Sequence, residues 1–401
     1  MIITDIRTRV VEWRGRTVPP QPHFCTNPID LLQLDDMRQR SGTPDAMASF
    51  RFHGWLIVEV FTDTGLVGLG EAALSPRLTK QAIDLYLKPI LVGADPQDIE
   101  YLWQLMYRWT MAFGRKGVGM TAISAVDIAL WDLFGKATRQ PVFRLLGGRT
   151  KRRIPVYASR LYSQPLDALA AEAKLYKDAG YGAMKLRFGW GPADGAAGMH
   201  KNVDLVRTVR DVVGDAVDVM ADAYMGWTLD YARRMIPLLE RFNLRWLEEP
   251  VIPDDLGGYV ELKKLGRIPI AGGEHAFTQF EVRDLLEARA VDYLQIDTNR
   301  VGGVTQARKI SALAESFGVP VVPHAGQMHN YQLVIAHLNS PLAEYFPPPG
   351  EGVLPDMNEA FWWIFQGEPL VEDGHVRLSG VPGLGLELHQ EVVDTYRVPA
   401  P

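Results

Sequence analysis

Asp222, Glu248 and Glu274 recur at intervals of 26 residues, each at the end of a short apolar run (DVMAD, RWLE, IAGGE). One acid so placed is equally well explained as the cap of a following helix. Three at equal spacing point to a shared site, because carboxylates converging in a dry cleft repel one another unless a cation lies between them. Hard oxygen donors suit Mg2+, which keeps positions open for substrate or water. Two further runs end in Asp297 (YLQID) and His324 (PVVPH), 27 residues apart. On neighbouring strands these two would hydrogen-bond, the carboxylate fixing the imidazole tautomer and raising its basicity. Lys185 and Arg187 flank Leu186 in AMKLR, and alternation sends both cations to one face. There they would hold a substrate carboxylate and stabilise charge developing on it. Glu344 ends LAE and, when protonated, can donate to the same charge. Together these groups specify removal of a proton from the carbon beside a carboxylate. His324 is the base; the metal, Lys185 and Glu344 surround the resulting enediolate.

For these residues to meet, the chain must bring distant run ends to one place. Their separations, 20 to 37 residues, each fit one strand plus one helix, the rhythm of a β/α barrel. In such a barrel every strand's C-terminal end opens into one mouth. The strands are RIPVYAS, AMKLRF, DVMADAY, LRWLEE, PIAGGE, YLQID, PVVPH and AEYF, with helices over 166–179, 202–213 and 228–242 behind the first three. Parallel pairing with right-handed crossovers follows. Ahead of the barrel, residues 2–11 alternate as a strand, and 54–61 with 66–71 make a hairpin around the turn 62–65. Residues 77–92 and 99–111 have helical spacing. A strong helix spans 119–138, with Ile123, Val126, Ala129, Leu130 and Leu133 on one stripe. Residues 14–51 show no periodicity and read as long loops of the lid or binding kind. After Pro347 the rhythm stops, and the tail is expected to fold back on the first domain.

At 401 residues the chain exceeds one comfortable core, so a large domain plus a smaller one is the default. A net charge of −6 gives no reason to expect nucleic acid or anionic membrane as a partner. An anionic substrate therefore needs a locally positive site. Cys25 is the only cysteine, so no internal disulfide forms, which fits a reducing cytoplasm. The start, MIITDIRTRVVEW, does not read as a signal peptide, and no run of about 18 apolar residues exists to span a bilayer. A cytoplasmic location is expected.

With these residues in hand, the chain resembles the enolase superfamily, mandelate racemase group, over nearly its whole length. The helix AISAVDIALWDLFGK followed by LLGG is similar to the group's helix leading into the barrel. Asp222, Glu248 and Glu274 match its three Mg2+ ligands, Asp297 and His324 its Asp–His dyad, and Glu344 its electrophilic acid. The resemblance implies a (β/α)7β-type modified TIM barrel with an α+β capping domain. The cap is expected from 1–125 and the barrel from 126–355, with 356–401 packing back on the cap. It also implies a homo-oligomer, often an octamer. NLRWLEE, GEH, VVPH and the loop WGPADGAAG are most similar to the L-rhamnonate dehydratases of the group. The implied activity is dehydration of an acid sugar to a 2-keto-3-deoxy acid. L-Rhamnonate, L-lyxonate or an aldarate are the substrates to weigh, and a racemase or epimerase is the alternative. Racemases of the group carry Lys-x-Lys on strand two, whereas the second position here is Arg187, which stays protonated and makes a poor base. A single base suits dehydration. His275, beside a metal ligand, and His23, Asn27 and Arg51, in the 14–51 loops, are candidates for holding the substrate.

Overall fold

The computed structural model describes residues 1–12, 23–32, 54–348 and 360–398. Three antiparallel strands form the first sheet: β1 (Ile3–Glu12), β2 (Gly54–Thr62) and β3 (Val67–Ala72), in that order. The turn between β2 and β3 closes where Thr62 N–H donates to Leu66 O at 3.2 Å. The helix Val118–Thr138 lies flat on β3. Gly68 and Gly70 permit this approach, since a Cβ on either would collide with the carbonyls of Ala129 and Ala125. Asp132 on that helix accepts from Leu69 N and Leu384 N, each at 2.8 Å, tying the sheet and the tail to one side chain. Trp131 Nε1 donates to Thr305 Oγ1 at 2.8 Å on the barrel side. By length and composition this helix could cross a membrane, but 83% of its most apolar stretch is buried inside the protein, as befits a core helix.

Where the sequence predicts one helix over 77–92, the structure has Pro76–Ala82, a π-type turn at Ile83–Leu87, and Lys88–Leu91. Pro89 has no N–H to give the preceding turn, and the chain widens there so that Lys88 N–H reaches Ile83 O. The helix predicted at 202–213 begins earlier, at Gly195, because Asp194 accepts from Gly191 N at 2.9 Å and tightens the glycine-rich loop into a turn.

The second sheet is the barrel wall. β4 (Ile154–Ser159), β5 (Ala183–Arg187), β6 (Asp218–Asp222), β7 (Leu247–Glu248), β8 (Ile270–Gly272) and β9 (Tyr293–Leu294) run parallel in sequence order, and β10 (Ala343–Tyr345) returns beside β4. Parallel bridges Leu294↔Val321 and Asp297↔His324 carry the sheet past β9. Tyr157, Ala183, Met220, Trp246, Ala271, Val322 and Leu342 form a separate apolar cluster. They lie on or beside successive strands, so they pack as an interior layer beneath the mouth, as a filled barrel requires. A short strand of the tail, His375–Val376, adds antiparallel to β4, and Val398 N–H donates to Val10 O at 2.8 Å on β1.

Candidate active site

Strand register brings the distant side chains level. Arg187 pairs with Asp222, Asp222 with Glu248, and Asp297 with His324. Just beyond, the backbone turns into the left-handed region at Tyr224 (φ 39°), Glu249 (φ 37°) and Ala325 (φ 74°). Non-glycine residues seldom adopt this conformation, and it clusters where chains are bent to present side chains.

Lys185 lies at the centre of the acids, 1% exposed. Its ammonium pairs with Glu248, with Glu344 Oε1 at 3.1 Å and with Asp222 Oδ2 at 3.6 Å. Burial works against this charge, but Glu248 and Glu344 outweigh it and hold the lysine well above its ordinary range. Burial pushes Glu248 up, Lys185 opposes it, and the surrounding carboxylates add to the rise. Glu344 shifts the other way. Burial opposes its ionisation, but Lys185 and His324 prevail and keep it below the usual carboxylate range. Glu344 also accepts from Ala325 N at 2.7 Å. Lys185 stands at the centre of this arrangement with protons to give to its carboxylate neighbours.

Arg187 is held on all sides. Its Nη1 donates to Arg160 O at 3.2 Å and Nη2 to Ser159 Oγ at 3.3 Å, and the guanidinium lies over Tyr162. On the opposite wall, His324 Nδ1 is 2.8 Å from Asp297 Oδ2. Burial alone would lower His324; Glu274, the Asp297 bond and Glu344 reverse this and raise it to about 9. Burial opposes ionisation of Asp297, but Arg300 and His324 hold it ionised.

Glu274 faces this wall rather than Lys185. Its Oε1 is 3.2 Å from Arg300 Nη1 and 3.5 Å from His324 Nε2. Among the described residues, the trio of acid and imidazole groups whose ligand atoms all lie within 4.8 Å is Glu249, Glu274 and His275, not Asp222, Glu248 and Glu274. Lys185 has drawn Asp222 and Glu248 to itself. His275 Nδ1 sits 2.9 Å from both Glu249 oxygens, and its Nε2 is 3.3 Å from Arg300 Nη1.

The donor set nevertheless suits a hard divalent cation. Asp222, Glu248, Glu249, Glu274, Asp297 and Glu344 are at most 4% exposed, against the permanent cations Lys185, Arg187 and Arg300. That excess of buried negative charge is what one more cation offsets.

The predicted substrate-holding residues fare unevenly. His275 joins the cluster. His23 is exposed, contacts Gly189 O at 3.2 Å through Nδ1 and stacks on Trp190. Asn27 is buried, its Oδ1 accepting from Ile29 N at 3.2 Å. This stretch is fastened across β5 and β6: Thr26 N donates to Phe188 O and Thr26 Oγ1 to Ala223 O, both at 2.7 Å. Arg51 lies outside the described residues, as does most of 14–51. Sequence reasoning missed Arg300, which joins Glu274 to Asp297 (Arg300 Nε to Asp297 Oδ2, 3.0 Å), and Glu249. The spacing of Asp297 and Arg300 by three, and the Glu248–Glu249 doublet, were the available signals. A cavity of about 50 Å3 opens beside His324, between the barrel mouth and the first sheet. A wider cleft of about 340 Å3 lies outside Glu249 and His275 and is not lined by His324 or Lys185.

Residues 168–392 match the model of the enolase C-terminal domain-like family, and residues 29–147 that of the mandelate racemase/muconate lactonizing enzyme N-terminal domain. The chain belongs to the enolase superfamily. It is 36% identical over 345 residues to an L-rhamnonate dehydratase of Saccharopolyspora erythraea, covering 84% of each protein. A rhamnonate dehydratase from Gibberella zeae, solved with Mg, superposes with a TM-score of 0.83 at 29% identity, covering 99% of this chain and 97% of that one. An L-talarate dehydratase from Polaromonas sp. JS666, solved with Mg and L-glucarate, gives 0.78 at 28% identity, covering 99% and 98%.

Proposed function

We propose that the protein is a Mg2+-dependent hydro-lyase that takes the C2 proton and the C3 hydroxyl from an aldonate of the L-rhamnonate kind. The product is a 2-keto-3-deoxy acid. The observation that carries this reading is the pairing of His324 with Asp297 on one wall and of Lys185 with the acids at the centre, while Arg187 is locked as a cation. The names of the S. erythraea and G. zeae relatives support the dehydratase assignment over other chemistries of the superfamily.

Asp297 keeps the proton on His324 Nδ1, leaving Nε2 to remove the C2 proton. The electron pair moves into the substrate carboxylate, where the Lys185 ammonium faces the growing negative charge. The imidazolium then returns its proton to the C3 oxygen as the C3–O bond breaks, and the enol tautomerises to the ketone. Asp222, Glu248 and Glu274 are the residues that would hold Mg2+, which when bound supplies Lewis acidity toward the substrate carboxylate. Glu274 is the foremost of the groups raising His324, so sharing its charge with a cation leaves the imidazole nearer its working range. Arg187 stays charged, so it has no means to take a proton.

An assay of aldonic and aldaric acids with Mg2+, read as 2-keto-3-deoxy product by semicarbazide absorbance, tests the reading. Formation of that product from an aldonate is expected. Absence of turnover with every acid sugar would refute the reading. We further take the working form to be a homo-oligomer, which sedimentation of the purified protein checks.

A further inference from the structure

Behind the dyad lies a second imidazole–carboxylate pair that the mechanism does not use. Glu71, on β3 of the first sheet, is 2% exposed, and His329, in the first turn of the helix Met328–Ala336, is fully buried. Glu71 Oε2 accepts from Trp55 Nε1 at 2.6 Å and from Gln327 Nε2 at 3.5 Å, while its Oε1 is 3.3 Å from His329 Nδ1. Asn299 Nδ2 then reaches both Gln327 Oε1 at 3.1 Å and His329 Nε2 at 3.4 Å. The Asn299 backbone N–H donates to Asp297 Oδ1 at 2.8 Å.

Glu71 Oε2, as the acceptor from Trp55 and Gln327, fixes the direction of the bonds that run on to Asn299. Gln327 must therefore turn its NH2 toward Glu71 and its oxygen toward Asn299. His329 Nδ1 lies 3.3 Å from Glu71 Oε1 without a hydrogen bond between them, and its Nε2 is within reach of Asn299 Nδ2. Asn299 is left to spend both N–H bonds on Gln327 and His329. Reversing the Asn299 amide would set oxygen against oxygen at Gln327, and reversing Gln327 to relieve that would set its oxygen against Glu71. Asn299 Oδ1 is consequently a bare acceptor, buried and without a partner. Asn299, Gln327 and Trp55 all line the 50 Å3 cavity that His324 and Asp297 also line.

We infer that Asn299 Oδ1 reads a hydroxyl of the substrate beyond the reacting carbons, at C4 or farther, and that Glu71 sets its polarity from the first sheet through Gln327. This rests on the acid-sugar reading above. A site built around an acceptor rejects an analogue lacking the matching hydroxyl, because the buried acceptor is then left unpaired.

The test compares the parent aldonate with its 4-deoxy and 5-deoxy analogues on the unaltered enzyme with Mg2+, and on Asn299→Ala and Glu71→Gln. On the unaltered enzyme one analogue should lose about tenfold in kcat/KM. That loss should vanish in Asn299→Ala and shrink in Glu71→Gln, with the change in KM rather than kcat. Far-ultraviolet circular dichroism checks that the variants fold, and the analogue series on the unaltered enzyme does not depend on them. Equal turnover of parent and analogues by the unaltered enzyme would overturn the inference while leaving the dehydratase reading intact. So would an analogue penalty unchanged in a folded Asn299→Ala. Failure of the unaltered enzyme to dehydrate any acid sugar would overturn both.

Discussion

The Arg187 guanidinium carbon lies 4.6 Å from the centre of the Tyr162 ring, with Nε 3.7 Å from Asp222 Oδ2. Burial works against the cation, but Tyr162 and Asp222 hold its proton more tightly than usual. A planar ion seated on a ring and bonded to a backbone carbonyl and a serine hydroxyl is not replaced in kind by lysine, which can shed its proton when buried. Arg187→Lys is therefore expected to introduce a second base at this end of β5. Exchange of C2 hydrogen for deuterium that outruns loss of water, measured by NMR in D2O, is the expected signature. The unaltered enzyme should show little such excess.

His324→Asn should lower turnover by about 10²–10⁴-fold, the range removed with a general base. The side chain is 17% exposed at the mouth and bears little core packing, so the thermal midpoint should stay within a few degrees. A matched loss of activity and midpoint would instead mark His324 as structural.

Two acid sets compete for a divalent cation. Asp222 and Glu248 are turned to Lys185, whereas Glu249, Glu274 and His275 lie close together. Glu249 is engaged on both oxygens by His275, while Glu248 meets Lys185 through one oxygen and accepts only neutral N–H donors, Trp246 and Gln295, at the other. Titrating Mg2+ calorimetrically should give an affinity weakened on the order of tenfold or more in Glu248→Gln and Glu274→Gln. Glu249→Gln should change it less. A larger effect from Glu249 than from Glu248 would move the ion to the other set.

Much of this site is legible in the sequence because a parallel barrel converts position along the chain into position in space. The last residue of each apolar run is a mouth residue, so Asp222, Glu248, Asp297, His324 and Glu344 can be named from the spacing of the runs. What each does once there is harder to read. That Lys185 takes Glu248 and Glu344 together depends on side-chain distances of a few ångströms, which no periodicity encodes. Arg300 lies past the end of its run, on a turn, and only the folded loop swings it onto Glu274. Glu71 sits on a hairpin some 250 residues before Gln327, and nothing local joins them. The broken helix at Ile83–Leu87 was signalled by Pro89, whose missing N–H is costly in a helix interior and tolerated in a first turn, where the structure places it.

Asp127 offers a test that is independent of the chemistry. It lies mid-helix in Val118–Thr138, fully buried, accepting from Thr305 N at 2.9 Å with Oδ1 unpartnered. Burial pushes its carboxyl from 3.8 up to about 7, against the bonds from Thr305. Between pH 4 and pH 7 the unfolded chain has lost this proton while the folded chain still holds it. The folded state then binds more protons, so stability falls as pH rises across that window. The contribution is fully present below pH 4 and gone above about pH 7. Asp127→Asn keeps an acceptor for Thr305 and removes the titration. Its stability relative to the unaltered protein should therefore climb by on the order of 3 kcal/mol from pH 4 to pH 8. Urea midpoints for the two proteins across that range measure it, and a difference that stays flat with pH would show that Asp127 is ionised in the fold.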